Sequence, residues 1–345
     1  MYSELLLPLI AAMFLAVNMG ASGTAPSFSA AYGANIIKRL AIPGVFGLFV
    51  LLGAIVAGKQ VGVTMGQELI PPEMLTPDVL TIVLFSVGLS LLIANYLAVP
   101  QSTSQATVFA ISGPAFFYNQ LNSPKLFLEI IPTWLILPVI SFILTLIIGK
   151  LLYKRVKDSS MIDYDKMSNH IILRILVLLS SCYVAFAIGA NNVANASGPI
   201  ASMVLNELGI DATSEDNFIM IMTITTLIIA PCFAMGSSLF GYRLLQSTGK
   251  GIVEFGPVGA TLISTVTATL LLLASITRGI PTSLVQLNTF AIIAVGISKI
   301  GWKKVIVDRT VRKFWIVWIV APIFALVLSY TLTALAHRYG IIFFG

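Results

Sequence analysis

Pro100-Gln-Ser-Thr-Ser-Gln105 places three consecutive hydroxyls, Ser102, Thr103 and Ser104, between a proline and an amide in an otherwise apolar stretch. Further along, Gly189-Ala-Asn-Asn-Val-Ala-Asn-Ala196 sets three more amides, Asn191, Asn192 and Asn195, ahead of Ser197, Gly198 and Pro199. Proline fixes φ and lacks an N–H, so it suits the first turn of a helix and puts the three hydroxyls at or near a helix start. Such a start offers unpaired N–H groups, the positive end of the helix dipole and hydroxyl donors aimed the same way, a nest suited to an oxyanion. Amides donate to an anion and accept from a cation-bound water, so the asparagine run suits a shared anion and cation site, with Asn191 and Asn195 as cation-coupling candidates. Two plainer roles compete: hydroxyls in membrane helices bond back to the preceding turn, and small residues let helices pack closely. Packing alone explains three amides in hydrocarbon poorly.

Both motifs occur twice. Pro100, Ser102, Gln105, Thr107 and Phe109-Ala110-Ile111 return 181 residues later as Pro281, Ser283, Gln286, Asn288 and Phe290-Ala291-Ile292. Gly20-Ala-Ser-Gly-Thr-Ala-Pro-Ser27 aligns with Gly189–Ala196 at a spacing of 169 and is the weaker copy, holding Ser22, Thr24 and Ser27 but no amide. Ser22, Gly23, Thr24, Ser102, Thr103, Ser104, Gln105, Asn191, Asn192, Asn195, Ser283 and Gln286 are therefore the candidate anion-binding residues.

The elements that must carry these residues are membrane helices. Of 345 residues 57% are hydrophobic and 10% charged, and the mean hydropathy is +0.97, more apolar than water can solvate on a folded domain. Runs long enough to cross about 30 Å of hydrocarbon recur near 5–36, 39–57, 78–98, 127–149, 171–203, 217–240, 257–277 and 314–336. Runs of this length are helices rather than barrel strands, which would be short and alternating. The first has Glu4 and no basic residue at its start and leads into a repeat motif, so it reads as mature structure. Cys182 and Cys232 lie inside apolar runs without metal or redox spacing and read as small core residues. Nothing suggests a metal centre, a cofactor or nucleic acid; the lipid bilayer is the expected partner, and a homo-oligomer is neither required nor excluded.

Lys and Arg in short loops mark the cytoplasmic side. They gather at Lys38–Arg39, Lys150–Arg174, Arg243–Lys250 and Lys299–Lys313. The loops between hold only Lys59, Lys125 and Arg278, together with most of the acids. Eight crossings would leave basic loops on opposite sides. Letting 100–118 and 281–298 each make one net crossing puts every basic cluster inside and both termini outside. Each half then has about five crossings, so the second runs antiparallel to the first. The expected fold is an all-α polytopic membrane protein of two inverted repeats, 1–150 and 170–345, joined by a cytoplasmic linker at 151–169, with interrupted helices or re-entrant hairpins at the midplane. Secondary transporters recurrently follow this plan.

These residues resemble the inorganic phosphate transporter (PiT) family, with its duplicated Gly-x-x-Asp-x-Ala-Asn-Ala and Pro-x-Ser-Thr-Thr motifs, over nearly the whole chain. The second asparagine copy departs from the family pattern at Asn192, where the family has aspartate. The first keeps Gly20, Thr24 and Ala25 but has Gly23 at the aspartate position and Pro26-Ser27 for Asn-Ala. Ser102, Thr103 and Ser104 keep the hydroxyl run; the second copy keeps Ser283 but has Leu284 and Val285. Phosphate near neutral pH retains a P–OH that a carboxylate can accept, whereas sulfate has no proton and is repelled, so Asn192 and Gly23 favour sulfate. The pattern is similar to the family's sulfate permease branch. The resemblance implies import of sulfate or a similar tetrahedral oxyanion by symport in the plasma membrane, with phosphate as the alternative.

A dianion entering against a negative interior costs about 2.3 kcal/mol per charge per 100 mV, so at least two cations must accompany it. No carboxylate remains in the candidate site. The branch implies H+, and sodium held by amide, hydroxyl and carbonyl oxygens is the other reading. Glu129 and Glu254 read as interfacial, and Trp302, Trp315 and Trp318 as interface anchors or bundle filling. A channel is a remote alternative. So is an intramembrane enzyme, for which only His170 and His337, both at span ends, are at hand.

Overall fold

A computed structural model of the chain describes residues 2–97, 99, 101–158, 170–211, 214–249, 256–300 and 309–342. Pro100, Glu254, Trp302 and most of the 151–169 linker lie outside the described residues, as does the side chain of Trp315. The described residues form helices and their connections, with no strand among them.

The helices are α1 (Tyr2–Gly33), α2 (Ile42–Ala57), α3 (Lys59–Val63), α4 (Pro77–Tyr96), α5 (Thr103–Phe117), α6 (Ile131–Asp158), α7 (Ile171–Ile188), α8 (Ala194–Glu207), α9 (Glu215–Leu239), α10 (Gly241–Gly249), α11 (Gly256–Arg278), α12 (Leu284–Ile300) and α13 (Arg309–Arg338). Eight segments among the described residues are long and apolar enough to cross a membrane: Glu4–Gly33, Arg39–Ala57, Pro77–Tyr96, Lys125–Lys154, Ile171–Glu207, Glu215–Leu239, Gly256–Arg278 and Trp318–Arg338. They fall on the eight expected runs. This is a multi-pass membrane protein. α6 buries 22% of its apolar span against 67% for α11, so α6 is peripheral and α11 central. Exposed Leu135, Ile136, Val139 and Ile143 on α6 suit lipid contact.

The two Pro-x-Ser segments form the short helices α5 and α12. At about 1.5 Å per residue, the 15 residues of α5 rise only about 22 Å, less than the hydrocarbon thickness. Residues 59–68, expected as loop, are helical instead: α3 runs on through a π turn, Thr64–Glu68. The reason is glycine packing, for Gly66 lies against the backbone of Gly198, and Gly198 against that of Gly62. These residues are therefore held on α8. Lys59 pairs with Glu215, and Lys125 with Glu68 (2.8 Å) and Glu129 (2.9 Å). Trp318 is buried and fills the bundle.

The helix pairings between the halves come in matched sets. α1 packs on α9 as α7 packs on α2, and α5 packs on α13 as α12 packs on α6. Where α1 meets α9, Gly20 lies against the backbone of Phe233 and Gly236 against that of Val17. Where α7 meets α2, Gly189 lies against the backbone of Val50 and Gly53 against that of Phe186. The spacing is 169 residues for Gly20/Gly189 and Val17/Phe186, and 183 for Val50/Phe233 and Gly53/Gly236. Each glycine lets two backbones approach where any Cβ would overlap a peptide group. Gly53→Ala and Gly236→Ala are therefore expected to destabilise the protein by similar amounts, about 1–3 kcal/mol each. Thermal unfolding in detergent checks this; melting points equal to the parent's would show that these contacts do not constrain the interface.

Candidate functional site

The helix start expected behind Pro100 is present. Ser102 is the N-cap of α5, its Oγ accepting from the Gln105 N–H at 3.3 Å. Ser283 sits at the matching position before α12, accepting from the Gln286 N–H at 3.3 Å. Capping by a hydroxyl satisfies one orphan donor and fixes where each helix begins. The capped glutamines then meet: Gln105 Nε2 donates to Gln286 Oε1 (3.1 Å) and Gln286 Nε2 to Gln105 Oε1 (3.2 Å).

Asn191 and Asn192 lie in a π turn, Gly189–Val193, that interrupts the otherwise continuous run of α7 and α8. A π turn shifts the hydrogen-bond register by one residue and is frequently found at functional sites. Here Asn191 ties the starts of α5 and α12 together. Its Oδ1 accepts from Ser104 Oγ (2.9 Å) and from the Thr282 N–H (3.2 Å). Its Nδ2 donates to Ser275 Oγ (2.8 Å) and to the carbonyl of Ile280 (3.4 Å). Asn195 Nδ2 donates to Ser104 Oγ at 3.2 Å. Trp134 on α6 secures the 279–283 connection by donating from Nε1 to the carbonyl of Pro281 at 2.7 Å, and Gly279 makes the turn there with φ +61°.

Ser104, Asn191 and Asn195 are fully buried, Ser102 and Ser283 nearly so, and Asn192 and Gln105 are each 6% exposed. Thr103 is buried beside them in sequence, and Asn192 takes no part in the hydrogen-bonded chain. Asn191 is satisfied at both ends of its amide, but the Oδ1 of Asn195 and the Oγ of Ser197 are buried without a hydrogen-bond partner among the described residues. Native proteins rarely leave such acceptors unpaired. Apart from two tryptophans and two cysteines, the buried side chains with polar groups among the described residues are Ser, Thr, Asn and Gln; none is Asp, Glu, Lys or Arg. Nor do the described residues hold a His/Cys/Asp/Glu cluster that could take a metal ion.

The first copy is placed differently. Ser22, Thr24 and Ser27 donate back to the carbonyls of Met19, Gly20 and Gly23 within α1. The atoms nearest a Cβ on Gly23 would be those of Phe46 (3.1 Å) and Ile188 (3.3 Å), an apolar setting. The structure thus gathers Ser104, Gln105, Asn191, Asn195 and Gln286 around the two helix starts and leaves Ser22, Gly23 and Thr24 outside that hydrogen-bonded set. Ser275, Thr282 and the Ile280 carbonyl join it without having been singled out in the sequence. Ser275 is one of several scattered hydroxyls in the apolar run of α11 and gives no signal of its own, although Thr282 stands within the recurring Pro281-x-Ser283.

A family model described as the phosphate transporter family matches residues 19–329. The chain is 32% identical to the sulfate permease CysP of Bacillus subtilis, over 94% of this chain and 85% of that one. It is 25% identical to a putative phosphate permease of Thermococcus kodakarensis, over 94% and 96%. A solved structure described as the sodium-dependent phosphate transporter superposes with a TM-score of 0.83 at 20% identity, covering 97% of this chain and 99% of the other. With duplicated Pro-x-Ser helix starts, an asparagine-bearing π turn between them and a family match over most of its length, the chain belongs to the phosphate transporter family.

Proposed function

We propose that the protein imports inorganic sulfate across the plasma membrane as a cation-coupled symporter working by alternating access. The observation that carries this reading is the neutrality of the buried cluster: hydroxyls and amides converge on two helix starts with no carboxylate among them. A fully deprotonated tetrahedral anion needs only donors. Ser104, Asn195 and the glutamine pair supply them, and the N-termini of α5 and α12 add positive dipole ends. An entering anion competes for the Ser104 hydroxyl and the Asn195 amide, loosening Asn191 and with it the joint between α5 and α12. The similarity to a sulfate permease points the same way. Phosphate is the second reading, favoured by the family description and by the Thermococcus relative.

The matched glycine interfaces and the reciprocal Gln105–Gln286 bonds support two inverted repeats related by a pseudo-twofold axis through the glutamine pair, and the clustering of Lys and Arg in alternate loops supports placing both termini outside. Rocking of one repeat-related unit against the other opens the site to either side. For the coupling cation, Asn195 is the better of the two asparagines, because its Oδ1 is an unpaired buried acceptor whereas Asn191 has no capacity left. The family branch favours a proton, whereas the neutral oxygens at Asn195 and Ser197 suit sodium, because amide and hydroxyl oxygens ligate a cation but do not take up a proton near neutral pH.

Labelled-sulfate uptake into proteoliposomes, with an inward pH gradient or an inward sodium gradient imposed separately, tests this function. Saturable accumulation driven by the pH gradient is expected. Non-saturable flux indifferent to both gradients would show a channel instead.

A further inference from the structure

The first-half motif does reach a cavity of mixed polar and apolar lining, apart from the hydrogen-bonded cluster around Asn191. Thr24 lines a separate space of about 350 Å³ together with Arg39, Ser237, Ser238 and Tyr242. No Asp or Glu lines it. Arg39 lies over the Tyr242 ring, its Cζ 3.8 Å from the centroid, and Tyr32 braces that ring edge-on. Stacking holds a guanidinium in place while leaving its in-plane N–H donors available. Among the described residues Arg39 has no carboxylate partner. Ser237 lines the same cavity, 4% exposed, with an Oγ that makes no hydrogen bond among the described residues. An oriented cation and a buried, unpartnered hydroxyl on the wall of one cavity suit an oxyanion.

Arg39 belongs to the basic cluster that marks the cytoplasmic face, so the cavity opens on the side where an imported anion is released. Gly23, next to Thr24, packs on Phe46 and on Ile188, the residue just before the Asn191 π turn. That apolar contact stands between the two polar regions along α1 and α7. We infer that the Thr24–Arg39–Ser237 cavity is a second, cytoplasmic oxyanion site, in which the tetrahedral anion pauses between the central cluster and the cytosol. Its role as a release site rests on the transport reading above; its ability to bind an oxyanion does not.

The test is protection of a cysteine placed at the cavity wall. Ser238 is exposed, while native Cys182 and Cys232 are buried, so Ser238→Cys gives one accessible thiol. Alkylation by a neutral maleimide is followed on the detergent-purified protein, with sulfate or phosphate replacing chloride at constant ionic strength. Sulfate is expected to slow labelling, and Arg39→Gln to raise the concentration needed about tenfold, as loss of a charge-assisted hydrogen bond implies. Ser237→Ala should shift it in the same direction, and serves if the arginine variant misfolds. Protection must survive Asn191→Asp, which disables the central cluster. Absence of protection by either anion would overturn the inference, and so would its disappearance in Asn191→Asp. Protection seen only with phosphatidylglycerol micelles and not with the free anions would also overturn it, assigning the cavity to a lipid phosphate. Because labelling needs no transport, failure of sulfate import in liposomes leaves this result standing.

Discussion

Asn191→Asp is expected to reduce sulfate uptake on the order of a hundredfold at neutral pH, with the protein still folded. The substitution preserves shape and keeps an acceptor for Ser104 Oγ and the Thr282 N–H. It removes the two donors that satisfy Ser275 Oγ and the Ile280 carbonyl. A buried acceptor left unpaired costs about 1–3 kcal/mol, and here one of the two would face a carboxylate oxygen instead of an N–H. The new negative charge also stands between the two helix starts, cancelling the positive dipole ends that should attract the anion. Initial-rate uptake in proteoliposomes, with monodispersity checked by size-exclusion chromatography, measures the effect. Uptake within twofold of the parent would show that Asn191 merely fills space.

Asn192→Asp, which restores the family's residue, is expected to lower the sulfate-to-phosphate uptake ratio about tenfold or more. Asn192 is buried next to Asn191 in the π turn and lies outside the Ser104 hydrogen-bond chain, so the change alters charge without breaking that chain. Two like charges about 4 Å apart repel by about 4 kcal/mol at an effective dielectric constant near 20, enough to reject sulfate strongly. Hydrogen phosphate avoids part of this penalty by donating its P–OH to the carboxylate. Paired uptake of the two labelled anions gives the ratio directly. An unchanged ratio would remove Asn192 from the selectivity determinant.

How much of this could be read from the chain follows from what each feature writes into sequence. The eight spans are legible because about 20 apolar residues are needed to cross hydrocarbon and little else produces such runs. The starts of α5 and α12 are legible because a proline and a capping serine have local chemical meaning, which Ser102 and Ser283 carry out. The π turn at Gly189–Val193 is not, since a one-residue register shift has no compositional mark. Residues 59–68 read as loop because Lys59, Gln60, Gln67 and Glu68 are polar, and only contact with α8 through Gly62 and Gly66 reveals a packed helix. The duplicated glycines are the instructive case. Gly20 and Gly189 belong to motifs read for chemistry, yet both bring backbones together. The hydroxyls of the first copy bond back into α1, the plainer of their two readings, while the amides of the second copy do not.

The sulfate preference proposed for this site rests on the neutral donors around Asn191, with no carboxylate among them to accept from a protonated anion. The direct measurement is uptake of labelled sulfate into proteoliposomes of the unmodified protein, competed separately by unlabelled sulfate and by phosphate. Sulfate should displace the label at a concentration at least tenfold below that of phosphate, as repulsion or loss of one hydrogen bond's worth of discrimination requires. Equal or stronger displacement by phosphate would contradict a sulfate-selective site.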